Sequence, residues 1–167
     1  MTPLPGHSGP ALFWRLDDKR HAKTWDSGEG ARLKGGRWSP VGVPVVYCSL
    51  DPATAILELA VHKGFDTLNA VAHVLSSAAL AMPWDRVHVV YPQDVPNKLW
   101  LYPCAVSAAQ QNFGHRLLST HTFVAIPSAV SRRSWNLIFD AKRAAGEYVL
   151  QDQEALDLDP RLNPPRR

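Results

Sequence analysis

Four residues of this chain carry side chains that could meet around one ligand. Glu58 lies in DPATAILELAVH, residues 51–62. At 100° per residue, Ala53, Ile56, Leu57, Ala60 and Val61 form one broad apolar side, which Leu59 widens. Only Thr54, Glu58 and His62 remain as a narrow polar strip, so the carboxylate borders a buried environment. Arg37 sits in GGRWSP, where two glycines free the backbone for a close approach and Trp38 and Pro40 can pin the loop. A guanidinium held that way suits a phosphate or carboxylate. Tyr47 shares a strand face with Val43 and Val45, so its ring should pack while its hydroxyl needs a polar partner. Ser128 follows Ile126 and Pro127 at the end of an apolar run, a common place for a ligand-contacting hydroxyl.

Each of these has a plainer explanation. Glu58 and His62 could be an i,i+4 surface pair worth a few tenths of a kcal/mol, on the order of other exposed helix pairs. Arg37 could face solvent, Tyr47 could be a core tyrosine and Ser128 could cap a turn.

Several chemistries lack their signatures. No GxSxG elbow surrounds Ser128, and neither His115 nor His121 stands in a nucleophile pattern, which disfavours a serine hydrolase. There is no GxxxxGK[ST], and GEGARL at 28–33 lacks the third glycine of a dinucleotide fingerprint. Cys48 and Cys104 are the two cysteines and fall in no CxxC or HExxH arrangement, so no metal site is expected. A net charge of +3 permits an anionic substrate or an acidic partner. The adjacent arginines at 132–133 and 166–167 form no basic stripe interleaved with aromatics, so direct nucleic-acid binding is not expected. The first ten residues lack a basic, apolar leader, and the most apolar stretch, 70–82, is too short to cross a bilayer. A cytoplasmic protein with no membrane span is expected.

The elements that must position these residues read as follows. With 167 residues, 46% of them hydrophobic, the chain fits one globular domain. Residues 1–10 are expected as a flexible N-terminus, 11–162 as the domain and 163–167 as a flexible tail. Strands are expected at 11–16, 43–49, 70–76, 86–91, 122–126 and 147–150, with a helix over 105–118. The run 43–49 is apolar on both faces and belongs inside a sheet. Asp51 as N-cap, Pro52 in the first turn and Gly64 as stop frame a helix between them. Residues 17–36 read as a long loop rich in glycine. Strands outnumber helices without regular alternation, which predicts a single α+β domain with a central mixed sheet and flanking helices.

Taken in order, LFWRL (12–16), GGRWSPVGVPVVYCSLDPATAILELAVH (35–62), IPSAV (126–130), WNLIFD (135–140) and LDPRL (158–162) resemble the RES-domain family. The likeness spans almost the whole chain. It departs from the family pattern after residue 136, where IFDAKRA replaces the common asparagine-proline ending. The resemblance implies an ADP-ribosyltransferase-like fold, action on NAD⁺ as substrate, and a toxin held oligomeric with an Xre-type antitoxin that covers the active site. It places the family's arginine, tyrosine, glutamate and serine on Arg37, Tyr47, Glu58 and Ser128, with Arg15 and Asn136 at further shared positions. On that reading Arg37 grips phosphate, Tyr47 stacks on or positions the nicotinamide end, Glu58 stabilises an oxocarbenium-like transition state or orients the ribose hydroxyls, and Ser128 hydrogen-bonds the substrate. Water or inorganic phosphate would be the acceptor. Transfer of ADP-ribose to a protein is the nearest alternative. A binding module in which Arg37 and Glu58 form an internal ion pair is a third.

Overall fold

Seven strands form one mixed sheet in the computed structural model, which describes residues 1–6, 9–64, 68 and 71–156. They are β1 (Leu12–Asp18), β2 (Val45–Ser49), β3 (His73–Leu80), β4 (His88–Val89), β5 (Val124–Pro127), β6 (Trp135–Asp140) and β7 (Tyr148–Leu156), in spatial order β4-β5-β6-β2-β1-β3-β7. All neighbours are antiparallel except β4 and β5. Among the described residues three α-helices accompany the sheet, α1 (Glu29–Lys34), α2 (Pro52–Lys63) and α3 (Ala108–Thr120). The expected single α+β domain with a mixed sheet is what forms.

The sheet is two units joined at a narrow seam. β1 pairs with β3 over seven residues and β2 with β6 over five, but β1 meets β2 only where Trp14 opposes Ser49. Beyond that pair the strands splay. Strand alternation puts Phe13, Val46, Cys48, Leu137 and Phe139 on one face. There they build an aromatic core with Trp25 and Phe123, which Tyr148 packs against. The opposite face is covered at one end by α2, through Ala55 on Leu16 and Leu75. At the other end Trp38, Val45, Leu118, Val124, Ile126 and Ile138 pack together beneath α3 and the loop before β2.

Local signals set α2. The Asp51 carboxylate accepts from the Thr54 N–H at 2.8 Å and the Thr54 hydroxyl at 2.7 Å, Pro52 opens the first turn, and Gly64 closes the helix at φ 78°. β2 lies between β6 and β1, as its two apolar faces require. Ser107 caps α3, its hydroxyl accepting from the Gln110 N–H, and the helix begins at Ala108, three residues later than the apolar pattern suggests.

Other elements differ from expectation. The stretch read as loop contains the 3-10 turn Lys19–Thr24 and α1, which is too short for periodicity to reveal and is held by a Glu29–Arg32 pair. The strand expected over 86–91 pairs for only two residues, because a 3-10 turn occupies Trp84–Arg86 and Pro92 begins another. β3 runs on through Ser76 and Ser77, and β7 extends to Leu156 as an exposed edge rich in polar residues. β6, central and buried, was not expected as a strand at all. The N-terminal segment expected to be flexible is tied through Thr2, whose carbonyl accepts from the Trp135 indole at 3.0 Å and whose N–H donates to the Arg133 carbonyl. LDPRL and the expected tail lie outside the described residues.

Gly114 lets α3 lie directly on the loop. A Cβ there would stand 2.2 Å from the Trp38 carbonyl oxygen, a backbone atom that cannot rotate away. Gly114→Ala should gain about 1 kcal/mol of helix propensity but lose more, since overpacking costs about 1–3 kcal/mol. The expected net result is a lower midpoint in urea or thermal denaturation. An unchanged or higher midpoint would show that the helix does not bear on Trp38.

Candidate active site

Two elements distant in sequence converge on Glu58, which projects half-buried from α2. The Ser128 hydroxyl, just past the end of β5, donates to Glu58 Oε1 at 2.7 Å. The Asn136 side-chain amide, in β6, donates to the same oxygen at 2.6 Å. Both distances are those of short, charge-assisted bonds. Among the described residues no hydrogen bond reaches Glu58 Oε2. Ser128 is fully buried and also accepts from the N–H groups of Val130 (3.2 Å) and Ser131 (2.9 Å). It therefore caps a turn and holds the carboxylate at once. Behind Asn136, the Ser49 hydroxyl donates to Oδ1 at 2.9 Å, across the β2–β6 register pair. Glu58 has no ion pair with His62 among the described residues.

A second cluster forms around Tyr47, on the same sheet face and about 7 Å along β2 from Ser49 by strand geometry. Its hydroxyl accepts from the Trp38 N–H at 3.0 Å and shares a 2.9 Å hydrogen bond with Ser39. Gly36 lies against the ring so closely that a Cβ there would fall 2.4 Å from the phenol oxygen. Burial pushes the phenol up to about 12, against the opposing pull of Ser39, the Trp38 N–H and Arg37. The tyrosine thus pins the loop that carries Arg37.

Arg37 is half-buried, and its Nη1 donates to the carbonyls of Trp100 and Tyr102, at 3.3 Å each. Two glutamines of α3 brace both sides of this contact. Gln111 donates to the Gly36 carbonyl at 3.0 Å and Gln110 to the Trp100 carbonyl at 3.3 Å. Arg132 lies over the Tyr102 ring at 5.1 Å, within cation–π range. Nε and Nη2 of Arg37 have no partner among the described residues.

Arg15 touches the second cluster through the Tyr47 backbone. By strand alternation from Trp14 it belongs to the sheet face away from α2. Its Nε and Nη2 form a fork on Asp17 (2.6 and 3.0 Å), and Nη1 donates to the Tyr47 carbonyl at 2.7 Å. The guanidinium fills the seam where β1 leaves β2 and satisfies a carbonyl that the splayed strand no longer meets.

Of the residues singled out from sequence, the structure joins Glu58, Ser128 and Asn136 by direct bonds and joins Arg37 to Tyr47 through one loop. No hydrogen bond or ion pair among the described residues links the two groups. The internal Arg37–Glu58 ion pair of the binding-module reading is therefore corrected: each charge has other partners. Two cavities lie elsewhere, one lined by Trp25, Asp26, Lys142 and Tyr148 and the other by Leu4, Trp14, Leu50 and Ser134. Sequence reasoning missed Ser49, Gln110 and Gln111. Polar side chains within otherwise apolar elements were the available signal.

The RES domain profile matches residues 12–159. The chain belongs to the RES domain family. The RES protein named Toxin Res, from Photorhabdus laumondii subsp. laumondii, is 27% identical over 154 residues, covering 90% of this chain and 96% of that one. A Sphingobium protein named Prs ADP-ribosylating toxin is 42% identical over 82 residues, 42% of this chain and 51% of its own. In three dimensions the RES domain is similar to a chain of the Mycobacterium tuberculosis MbcT–MbcA toxin–antitoxin complex, with a TM-score of 0.71 over 89% of this chain and 85% of that one, at 20% identity. Among the described residues no group of three or more His, Cys, Asp or Glu side chains is arranged to hold a metal ion.

Burial also raises the Cys48 thiol to about 12 and shifts the Tyr148 phenol upward, so three acidic groups of the folded RES domain keep their protons to higher pH than in the unfolded chain. Their contribution to stability is complete below the ordinary pKa values and is lost as pH rises toward 12. Tyr47→Phe should cost about 1–2 kcal/mol near neutrality through its two lost hydrogen bonds. That gap from wild type should narrow steadily above pH 10, where only the wild type has this phenol to ionise. Urea melts from pH 7 to 11 measure both; a gap constant with pH would contradict the assignment.

Proposed function

We propose that this RES domain is the toxin of a toxin–antitoxin pair and that it destroys NAD⁺ by cleaving the bond between nicotinamide and ribose. The observation that carries the proposal is the one-sided anchoring of Glu58, with Ser128 and Asn136 on Oε1 and Oε2 unbonded. Breaking the glycosidic bond sends its electron pair to the pyridinium nitrogen, so nicotinamide leaves neutral and needs no proton. Positive charge builds on the ribose carbon and ring oxygen. A fixed carboxylate oxygen beside that charge lowers the barrier without reorganising during the reaction. Attack by water gives ADP-ribose and releases a proton; attack by inorganic phosphate gives the ribosyl phosphate.

The remaining residues divide the work around that centre. Arg37, with Nε and Nη2 unpartnered, takes the pyrophosphate. Tyr47 supports the nicotinamide end and, through Trp38 and Ser39, the loop that holds Arg37. Arg15 maintains the seam on which the strands part. The net charge of +3 suits an anionic dinucleotide. Likeness to the toxin–antitoxin structure supports an antitoxin as partner, which we take to be an Xre-type protein that covers the site. NAD⁺ breakdown would then take place in the cytoplasm; no helix among the described residues is long and apolar enough to cross a membrane.

Transfer of ADP-ribose to a protein is the second reading, favoured by the likeness to the ADP-ribosylating toxin of Sphingobium. It uses the same residues and differs in the group that meets the ribose carbon. Purified protein is incubated with labelled NAD⁺, with and without phosphate, and with cell extract. Free ADP-ribose or its phosphate is the expected product, identified by mass, and a labelled protein band would favour transfer. Glu58→Gln should slow NAD⁺ loss by about 100-fold or more, as removal of a preorganised electrostatic contact does, with little change in melting temperature. Equal rates for the variant and wild type would end the proposal.

A further inference from the structure

We infer that Ser49 is a positioning residue: through Asn136 its hydroxyl fixes which oxygen of Glu58 is presented to the ligand. The inference rests on the proposed role of Glu58 and adds to it a residue that touches no substrate.

The direction of the chain of hydrogen bonds follows from its charged end. An ionised carboxylate only accepts, so the Asn136 group 2.6 Å from Oε1 is the NH₂. The amide oxygen then faces the other way, toward Ser49, and an oxygen there requires a donor. Ser49 Oγ supplies it at 2.9 Å. Turning the amide over would set its oxygen against the carboxylate, two acceptors in contact. The Ser49 hydroxyl is thus the element that locks the amide in the orientation Glu58 needs.

The lock is rigid because of where it is built. Ser49 and Asn136 are 2% and 8% exposed, sit directly opposite each other in the β2–β6 ladder, and cannot exchange their partners for water. With Ser128 donating from the other side, Oε1 has two fixed donors, and rotation of the carboxylate about its last bond is frozen. Oε2 is left as the oxygen that can accept from a ribose hydroxyl or face a developing cation. Removing the Ser49 hydroxyl orphans Asn136 Oδ1 and takes away one of the two contacts that hold the amide in place.

A residue that merely fills the sheet would behave differently, affecting melting temperature but not turnover. Ser49→Ala should lower kcat for NAD⁺ loss by about 10- to 100-fold, the usual scale for removing a group that orients a functional side chain, while KM stays within about threefold. The Ser49→Ala/Asn136→Ala double variant should be no slower than Asn136→Ala alone, because both act along one path. Should Ser49→Ala fail to fold, Ser49→Thr and Ser49→Val make the comparison, being nearly equal in shape and differing in the hydroxyl; Thr should retain turnover that Val loses.

A measurement independent of NAD⁺ keeps this inference separate from the proposed reaction. In nitrogen-15 correlation spectra the two protons of the Asn136 amide should be widely separated, one of them bonded to the carboxylate. The separation should collapse in Ser49→Ala and in Glu58→Ala. Wild-type kcat in Ser49→Ala, additive losses in the double variant, or an amide pair indifferent to Ser49 would each overturn the inference. If the wild-type protein leaves NAD⁺ intact while the amide responds as described, the proposed reaction fails and the positioning chain stands.

Discussion

A single carboxylate oxygen, Oε1 of Glu58, ties together parts of the chain 70 and 78 residues apart. A half-buried carboxylate is costly to desolvate unless donors meet it. Those donors must come from the sheet beneath, because the rest of α2 is nearly all apolar. Ser128 can reach it only from the end of β5, and Asn136 only from the start of β6. The position of α2 across the sheet is therefore fixed on two sides, by the apolar contacts of Ala55 to Leu16 and Leu75 and by the polar contacts of Glu58. The same arrangement leaves the second oxygen unbonded.

The splay of β1 from β2 is the structural counterpart of that contact. A continuous ladder would have carried the β1 side of the sheet up beside Tyr47. Instead one residue pair joins the two units, and Arg15 supplies a donor where a strand neighbour is missing. The bidentate Asp17 pair holds the guanidinium in place for that task. The charge of Arg15 is thus balanced within the seam by Asp17, whereas Arg37 bonds two carbonyls and has no carboxylate partner among the described residues.

What could be read from sequence divides along the range of the forces involved. α2 was legible because its cap, first-turn proline and terminal glycine act within one or two turns. β2 was legible as an interior strand because both its faces are apolar. α1 was not, since six residues with no buried side chain produce no period, and its backbone is bonded to Gly28 and Gly42 in the surrounding loop. β6 shows the opposite difficulty: WNLIFD is apolar on both faces and too short to separate strand from helix by pattern. Glu58, Ser128 and Asn136 could be named one at a time. Their sharing of one oxygen could not, because a contact across 70 residues leaves no mark in local spacing. Ser49 was invisible for the same reason, as an ordinary serine at a strand end until Asn136 is placed opposite it.

The proposed chemistry explains why so few charged groups suffice. Hydrolysis of an ordinary glycoside needs an acid for the leaving oxygen as well as a carboxylate for the sugar cation. Nicotinamide departs already neutral, so the first of these roles falls away and one oriented carboxylate remains. On that reading the pyrophosphate would fall to Arg37, which is placed by a separate set of contacts from Tyr47, Gln110 and Gln111. The two demands meet in the ligand rather than in the protein. A site built this way has no need of a bond between Arg37 and Glu58, and such a bond would neutralise both charges before the dinucleotide arrived. On the proposed reading, the separation of the two clusters keeps both charges available to the dinucleotide.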